Sequence, residues 1–229
     1  MINRLKEVTR PFRFLLRKLQ KGEWLSSEVP FSQLHFSQFG EDLVLQSVFS
    51  NRTNGLYLDI GAFHPMLFSN TYLLHKRGWR GCNVDANPAS IAAFQQFRPN
   101  DLNLSCAIGT NDTRADFWCA GPYSSLRQEA AAISGIQPSR ITVESKRLDT
   151  LASELPDEFR EIDLLTIDCE GSDLDVLRSN DWSKLRPRCV VVESTSNEEV
   201  SGYLVKCGYT RLIRMGLSEI FLSEAMKHH

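Results

Sequence analysis

No C-x-x-C pair occurs in the chain, and its six cysteines, at positions 82, 106, 119, 169, 189 and 207, follow no metal-ligand spacing. A cysteine-built metal centre is therefore excluded. Cys82, Cys106, Cys169 and Cys189 sit inside or at the ends of apolar runs that look like buried strands, where a thiol acts as a small hydrophobe. A reducing, cytoplasmic location is the expectation. Long apolar runs are missing as well. In the basic opening segment the longest is "FLL", far short of a signal-peptide core or a membrane span, so neither export nor membrane crossing is expected. There is no internal repeat and no low-complexity tract. A large charge of one sign is also missing: the formal net charge is -2, which gives no reason to expect nucleic acid as a partner.

What is present suffices for one well-formed core: 229 residues, 42% hydrophobic and 24% charged. Charge is uneven along the chain. Residues 1–30 read as a basic, helical N-terminal extension, with Arg4, Lys6, Arg10, Arg13, Arg17, Lys18 and Lys21 set against Glu7 between Met1 and Lys21. Phe12, Leu15, Leu16 and Leu19 fall at helical spacing there, which suits either weak contact with an anionic membrane surface or packing on the domain with a solvated basic face. Residues 31–229 read as the folded domain. The closing His228 and His229 are given no chemistry.

From residue 55 onward, runs rich in β-branched and aromatic residues alternate with helical stretches, the signature of βαβ units and a mostly parallel sheet with helices on both faces. Strands are expected at 55–60 ("GLYLDI"), 81–86, 102–108, 162–168 and 189–194. Helices are expected near "FSNTYLLHKRG", "PASIAAFQQF", "SDLDVLRS" and "NEEVSGYLVKCG", with Ser172 and Gly208 marking two of the boundaries. Past Gly208, "YTRLIRMGLSEIFL" reads as two strands joined by a tight turn at Met215–Leu217, closing the sheet with an antiparallel pair. Within 109–150, "ADFWCA" and "RITVESKRL" are strand-like, and "SSLRQEAAAISG" suits a loop or a short helix.

In an open parallel sheet, ligands gather outside the carboxyl ends of the strands. Here those ends are acidic: Asp59-Ile60-Gly61, Asp85-Ala86-Asn87, Asp168-Cys169-Glu170-Gly171 and Glu193-Ser194. Asp85 stands at roughly the spacing beyond the glycine turn at which a carboxylate accepts from ribose hydroxyls. The turn departs from G-x-G-x-x-G, however, with Phe63 and Met66 at the second and third glycine positions and Pro65 between them. A side chain and a proline there oppose a pyrophosphate cradle and hence an NAD-linked oxidoreductase. S-adenosylmethionine carries no phosphate and has a sulfonium and an ammonium, so acidic strand ends suit it. Asp59 would bond the ammonium or hold the turn, and backbone at Gly61 and Ala62 would let the ligand lie close. A scaffold module on the same fold is the non-enzymatic alternative.

The succession "SQFGEDLVL", "GLYLDIGAFHP", "SNTYLL", "GWRGCNVDANP", "SSL", "LDTL", "IDLLTIDCEGSDLDVL" and "VVVES", covering Ser37 to Glu193, resembles the FkbM-type methyltransferases. That resemblance implies a Rossmann-like α/β fold of class I, with a seven-stranded, mostly parallel sheet and an antiparallel last strand. It also implies S-adenosyl-L-methionine as cofactor and methyl transfer, typically to a hydroxyl of a glycan or small natural product. It places cofactor contacts at Asp59, Gly61, His64, Asp85 and Asn87, includes Asp168, Glu170 and Gly171 as the strand-four motif, and sets adenine against Ala107 and Ile108. An acidic residue common there in related enzymes is absent. Ala86 lies inside the second motif. Gln38, Ser69, Asn70 and Thr71 match polar positions of the family, and Ser69 to Thr71 would open a helix whose amides and hydroxyls receive the methionine carboxylate.

Transfer to oxygen needs a collinear approach and a group to take the acceptor's proton. Candidates are His64, Asp168, Glu170 and Glu193, with Glu170 preferred because it extends from the strand-four loop. Asp168, Glu193 and Glu170 form a thin set for a divalent metal, the less favoured alternative. Ser124 and Ser125, in "PYSSL", would belong to a lid over the acceptor, with Gln38, Glu170 and Glu193 as further acceptor contacts. Trp79 is expected to pack the first helix on the sheet.

Overall fold

A computed structural model describes residues 33–133, 135, 137–194 and 198–226. The basic N-terminal extension lies outside the described residues. Among those described, no helix is long and apolar enough to cross a membrane.

After helix α1 (Glu41–Val48), the chain forms β1 (Leu56–Ile60), α2 (Tyr72–Lys76), β2 (Arg80–Asp85), α3 (Pro88–Phe97) and β3 (Leu102–Ser105). Then come β4 (Ala107–Ile108), β5 (Thr113–Cys119), α4 (Gln128–Ala132), β6 (Ser139–Lys146), α5 (Leu148–Glu154) and β7 (Leu164–Ile167). The last elements are α6 (Asp173–Arg178), β8 (Cys189–Glu193), α7 (Glu198–Lys206), β9 (Tyr209–Met215) and β10 (Ser218–Ser223). The main sheet has seven strands in the order β3-β2-β1-β7-β8-β10-β9. All neighbours pair in parallel except β10, which runs antiparallel to β8 and to β9. The expected antiparallel ending is present, and the returning strand inserts between β8 and β9.

Alternation within each strand explains the three layers. Leu58, Ile60, Leu165, Ile167, Val190, Val192 and Phe221 face one apolar cluster with helices α5, α6 and α7, while Tyr57, Leu164, Val191 and Ile220 face another with α1, α2 and Trp79. Both sets are almost fully buried, as period-two strands between two helical layers must be. At about 1.5 to 3 kcal/mol for each large apolar side chain, this burial supplies the main driving force. Trp79 has the expected packing role, edge-on to Phe49 with its indole N–H on the Arg52 carbonyl.

Two expectations change. The third strand does not run through to residue 108: β3 stops at Ser105, and β4 pairs with β6 in a separate sheet of order β4-β6-β5. The 109–150 region therefore supplies the antiparallel pair β5 and β6 of a small mixed sheet set beside the carboxyl end of the main one, where Phe117 packs on Ala86 and Ala107. The helix expected over 68–78, α2, is also shorter than that range. Phe68 takes a left-handed φ of 57°, and Ser69 and Thr71 are held in side-chain hydrogen bonds, so helical geometry starts at Tyr72.

The order reverses beside β1, whose successor β2 lies on one side and β7 on the other, leaving a crevice above β1 and β7. At its floor Gly61 has φ 75°, and a Cβ there would lie 1.9 Å from the Asp168 carbonyl oxygen. The glycine is thus needed for the approach of the two strand ends, whereas the sequence suggested approach to a ligand. Gly61→Ala is expected to cost about 3 kcal/mol or more. Urea unfolding checks this; an unchanged midpoint would contradict it.

Candidate active site

A pocket opens at this crevice, bounded by the ends of β1, β2 and β7 and by the small sheet. Gln38, Asp59, Gly61, Ala62, Ser69, Asn70, Asp85, Ala86 and Asn87 line it, as do Ala107, Ile108, Ser124, Ser125, Asp168 and Glu170. His64, Thr71 and Glu193 are outside that lining.

The turn after β1 is closed on itself. Gly61 and Ala62 N–H donate to the Val84 carbonyl at 2.9 and 3.1 Å, and His64 N–H donates to the Ala62 carbonyl. Phe63, at φ 53°, donates its N–H to Asp85 Oδ2 at 2.8 Å. Met66 and Leu67 N–H both donate to His64 Nδ1, at 3.1 and 3.0 Å, and Pro65 has no N–H to offer. Every amide from 61 to 67 therefore has a partner inside the protein, so this turn cannot act as an amide cradle for phosphate.

The same bonds correct the reading of His64. With Nδ1 accepting two N–H groups, the neutral ring carries its proton on Nε2 and has no lone pair left for an acceptor's proton. Burial, with Arg98 nearby, also lowers its pKa. His64 shapes the turn.

Asp85 accepts Phe63 N–H on one oxygen and Asn87 N–H on the other, the latter at 2.7 Å. The Ser90 side chain also bonds this carboxylate, and with up to four acceptor positions on its two oxygens it can still take a ligand hydroxyl. Asn87 caps α3 by accepting Ala89 N–H at 3.0 Å, so the capping role is real, and the residue lines the pocket as well.

Asp59 is 6% exposed, and its Oδ2 accepts the Thr71 hydroxyl at 2.8 Å. Desolvation raises its pKa from 3.8 to about 6, against the lowering effects of Thr71 and Arg98. The hydroxyls of Ser69 and Thr71, expected to receive a carboxylate, belong to this buried network, and Asn70 reaches the Thr166 hydroxyl at 3.2 Å. Thr71 lies behind the wall. Gln38 is carried to the pocket by a loop that Asp42 pins, its carboxylate accepting Phe36 N–H at 2.6 Å and the Ser37 hydroxyl at 2.7 Å.

The loop after β7 is built by Asp173, which sequence reasoning passed over in favour of Ser172. Ser172 makes no side-chain cap, whereas the Asp173 carboxylate accepts Cys169 N–H at 2.8 Å and Gly171 N–H at 3.1 Å. The D-C-E-G-S-D spacing was the available signal. Between them Glu170 is held at φ 44°, a conformation costing about 1 to 3 kcal/mol for a non-glycine residue. Ser125 donates its hydroxyl to the Glu170 carbonyl at 3.0 Å, joining the "PYSSL" segment to this loop, while Ser124 is held within its own turn by the Gly121 carbonyl.

Asp168, Glu170 and Glu193 each present one carboxylate oxygen, all within 4.8 Å of one another. Burial and the adjacent Glu193 push the Asp168 carboxyl well above the ordinary carboxylate range, and the two share a hydrogen bond. Such a cluster suits a shared proton, and its oxygen donors also suit a hard cation.

A seven-stranded sheet of this order with one reversed strand, and an acidic pocket at the switch between β1 and β7, defines the class I methyltransferase fold. The chain belongs to the FkbM methyltransferase family, whose domain model matches residues 59–211. Among solved structures it is similar to a TehB-like SAM-dependent methyltransferase from Corynebacterium glutamicum, with 10% identity, 94% of this chain and 98% of that one covered, and a TM-score of 0.44. It is also similar to a SAM-dependent methyltransferase from Aquifex aeolicus, with 12% identity, 80% and 88% covered, and a TM-score of 0.41. The 1,6-didemethyltoxoflavin-N1-methyltransferase of Burkholderia thailandensis, solved with S-adenosylhomocysteine, gives 13% identity, 96% and 88% covered, and a TM-score of 0.42. These likenesses are too distant to bear on substrate. No curated protein matches the chain.

Because the Asp59 carboxyl holds its proton more tightly when folded, its contribution to stability is complete below about pH 4 and is lost as pH rises through about 6. Asp59→Asn, which can still accept the Thr71 hydroxyl, is therefore expected to gain stability over wild type across that window, on the order of 2 kcal/mol. Urea unfolding at pH 4.5 and pH 7 measures the difference; a constant difference would refute it.

Proposed function

We propose that the protein is an S-adenosylmethionine-dependent O-methyltransferase acting on a hydroxyl of a saccharide or small natural product. The single observation that carries the cofactor reading is the self-satisfied turn from Gly61 to Leu67, beside the pocket-facing carboxyls Asp59, Asp85 and Asp168. Such a wall rejects a pyrophosphate and favours a cationic, phosphate-free adenosyl ligand, which speaks against the NAD-linked reading.

In this reading Asp85 holds the ribose hydroxyls, Asp59 takes the ammonium, and Ala107 and Ile108 lie against adenine. The cofactor supplies an electrophilic methyl group on a sulfonium. The protein must then hold the acceptor oxygen in line with that methyl and receive its proton. Burial and the neighbouring Glu193 push the Asp168 carboxyl well above the ordinary carboxylate range, toward its protonated form, which favours Glu170 on the pocket wall as the proton acceptor. The uncharged donors and acceptors that line the same pocket, Gln38, Asn70 and Thr166, suit a hydroxyl-bearing acceptor.

Two measurements test this. In a thermal-shift titration, S-adenosylmethionine or S-adenosylhomocysteine is expected to raise the melting temperature and NAD to leave it unchanged, because only a ligand of the folded state stabilises it. Stabilisation by NAD alone would overturn the assignment. Glu170→Gln should lower kcat by about 10² to 10⁴ with cofactor affinity retained, while Glu170→Gly, freed of the left-handed strain, should be more stable by about 1 kcal/mol and inactive.

A further inference from the structure

Arg98, the residue that ends α3, is fully buried, and among the described residues its head group hydrogen-bonds hydroxyls, a carbonyl and an amide oxygen and no carboxylate. It lies between the rings of Tyr72 and Phe94, with its central carbon 5.4 and 5.1 Å from their centroids. Nη2 donates to the Pro65 carbonyl and to Ser69 Oγ at 2.8 Å; Nη1 donates to Thr71 Oγ1 at 2.9 Å and Tyr57 Oη at 3.2 Å.

A guanidinium can only donate. Each hydroxyl that accepts from it must therefore turn its own hydrogen elsewhere. Thr71 directs its hydrogen to Asp59 Oδ2, and Tyr57 directs its hydrogen to Asp101 Oδ2. Ser69, 3.3 Å from Thr71 Oγ1, completes a chain of donors that ends on Asp59.

We propose that Arg98 is a positioning residue for cofactor binding: it orients the Thr71 hydroxyl so that Asp59 accepts on Oδ2 and presents an ionised carboxylate to the ammonium of the ligand. This rests on the cofactor reading above. Because Pro65 and Ser69 are clamped by the same head group, Arg98 also ties the turn after β1 to the start of α2. The groups that face Asp59 electrostatically are Arg98, Asp85 and Asp101, together with Asp168 and the Cys82 thiol. Arg98 is the one cation among them, and it opposes the desolvation that raises the Asp59 pKa to about 6.

The test is S-adenosylhomocysteine affinity by calorimetry from pH 5 to pH 8.5, with wild type, Arg98→Met, Arg98→Lys and Thr71→Val. Wild-type affinity should fall about tenfold per pH unit below about pH 6 as Asp59 takes up its proton. In Arg98→Met that fall should begin at a pH higher by half a unit or more, with partial restoration in Arg98→Lys. Thr71→Val, a near-isosteric change, should move it the same way even if Arg98→Met does not fold. The Arg98→Lys and Thr71→Val effects should not add, since one acts through the other. Binding by wild type with an unmoved pH profile in a folded variant would overturn this proposal alone. Absence of wild-type binding at any pH would overturn the cofactor reading and this proposal with it.

Discussion

Carboxylates gathered at neighbouring strand ends repel one another, and burial makes each of them costlier to ionise. The site depends on how that cost is met. Asp59, Asp85 and Asp168 all have raised pKa values with desolvation as the largest cause, and each is treated differently by its surroundings. Asp85 is stabilised by backbone N–H groups on both oxygens, Asp168 shares a hydrogen bond with Glu193, and Asp59 is linked through a hydroxyl to a buried guanidinium. One electrostatic problem thus has three solutions, and the three carboxyls differ in the partners that stabilise them.

Local backbone geometry serves the same arrangement. Phe63, Phe68 and Glu170, the non-glycine residues with positive φ among those described, all line the pocket. Strain of this kind persists where surrounding bonds over-determine it. For Phe63 the bond is to Asp85, and for the Glu170 loop it is the Asp173 carboxylate. The departure from a glycine-rich turn thus has a positive use: Phe63 N–H couples the first strand's turn to the second strand's carboxylate, and ligand phosphate loses the amide it would need.

Much of this was legible in the chain. The order of strands and helices followed from period-two and 3.6-residue patterns, and the antiparallel ending followed from the Met215–Leu217 turn. Acidic strand ends were visible as motifs, and fifteen proposed contacts from Gln38 to Glu170 were gathered around one pocket. His64 and the hydroxyls of Ser69 and Thr71 were legible as polar residues near the turn, but not in their roles. Their partners are backbone amides and a buried arginine, and a sequence motif does not say which way a side chain faces. The 109–150 sheet was obscure because its strands alternate weakly, with a single buried residue in each of β5 and β6.

By itself the sequence determined the class of fold and the chemical character of the strand ends, because both are written in short-range periodicity and in the residues that follow each strand. Only the tertiary structure decided the fate of Arg98. In "FQQFRPN" it reads as an ordinary solvated charge closing a helix, yet it is wholly buried against Thr71, 27 positions earlier in the chain. Asn70 likewise meets Thr166 across 96 positions. Hydrogen-bond direction depends on which donors and acceptors the folded chain brings together, and that is set by the packing of β1, α2 and α3, which no local pattern records.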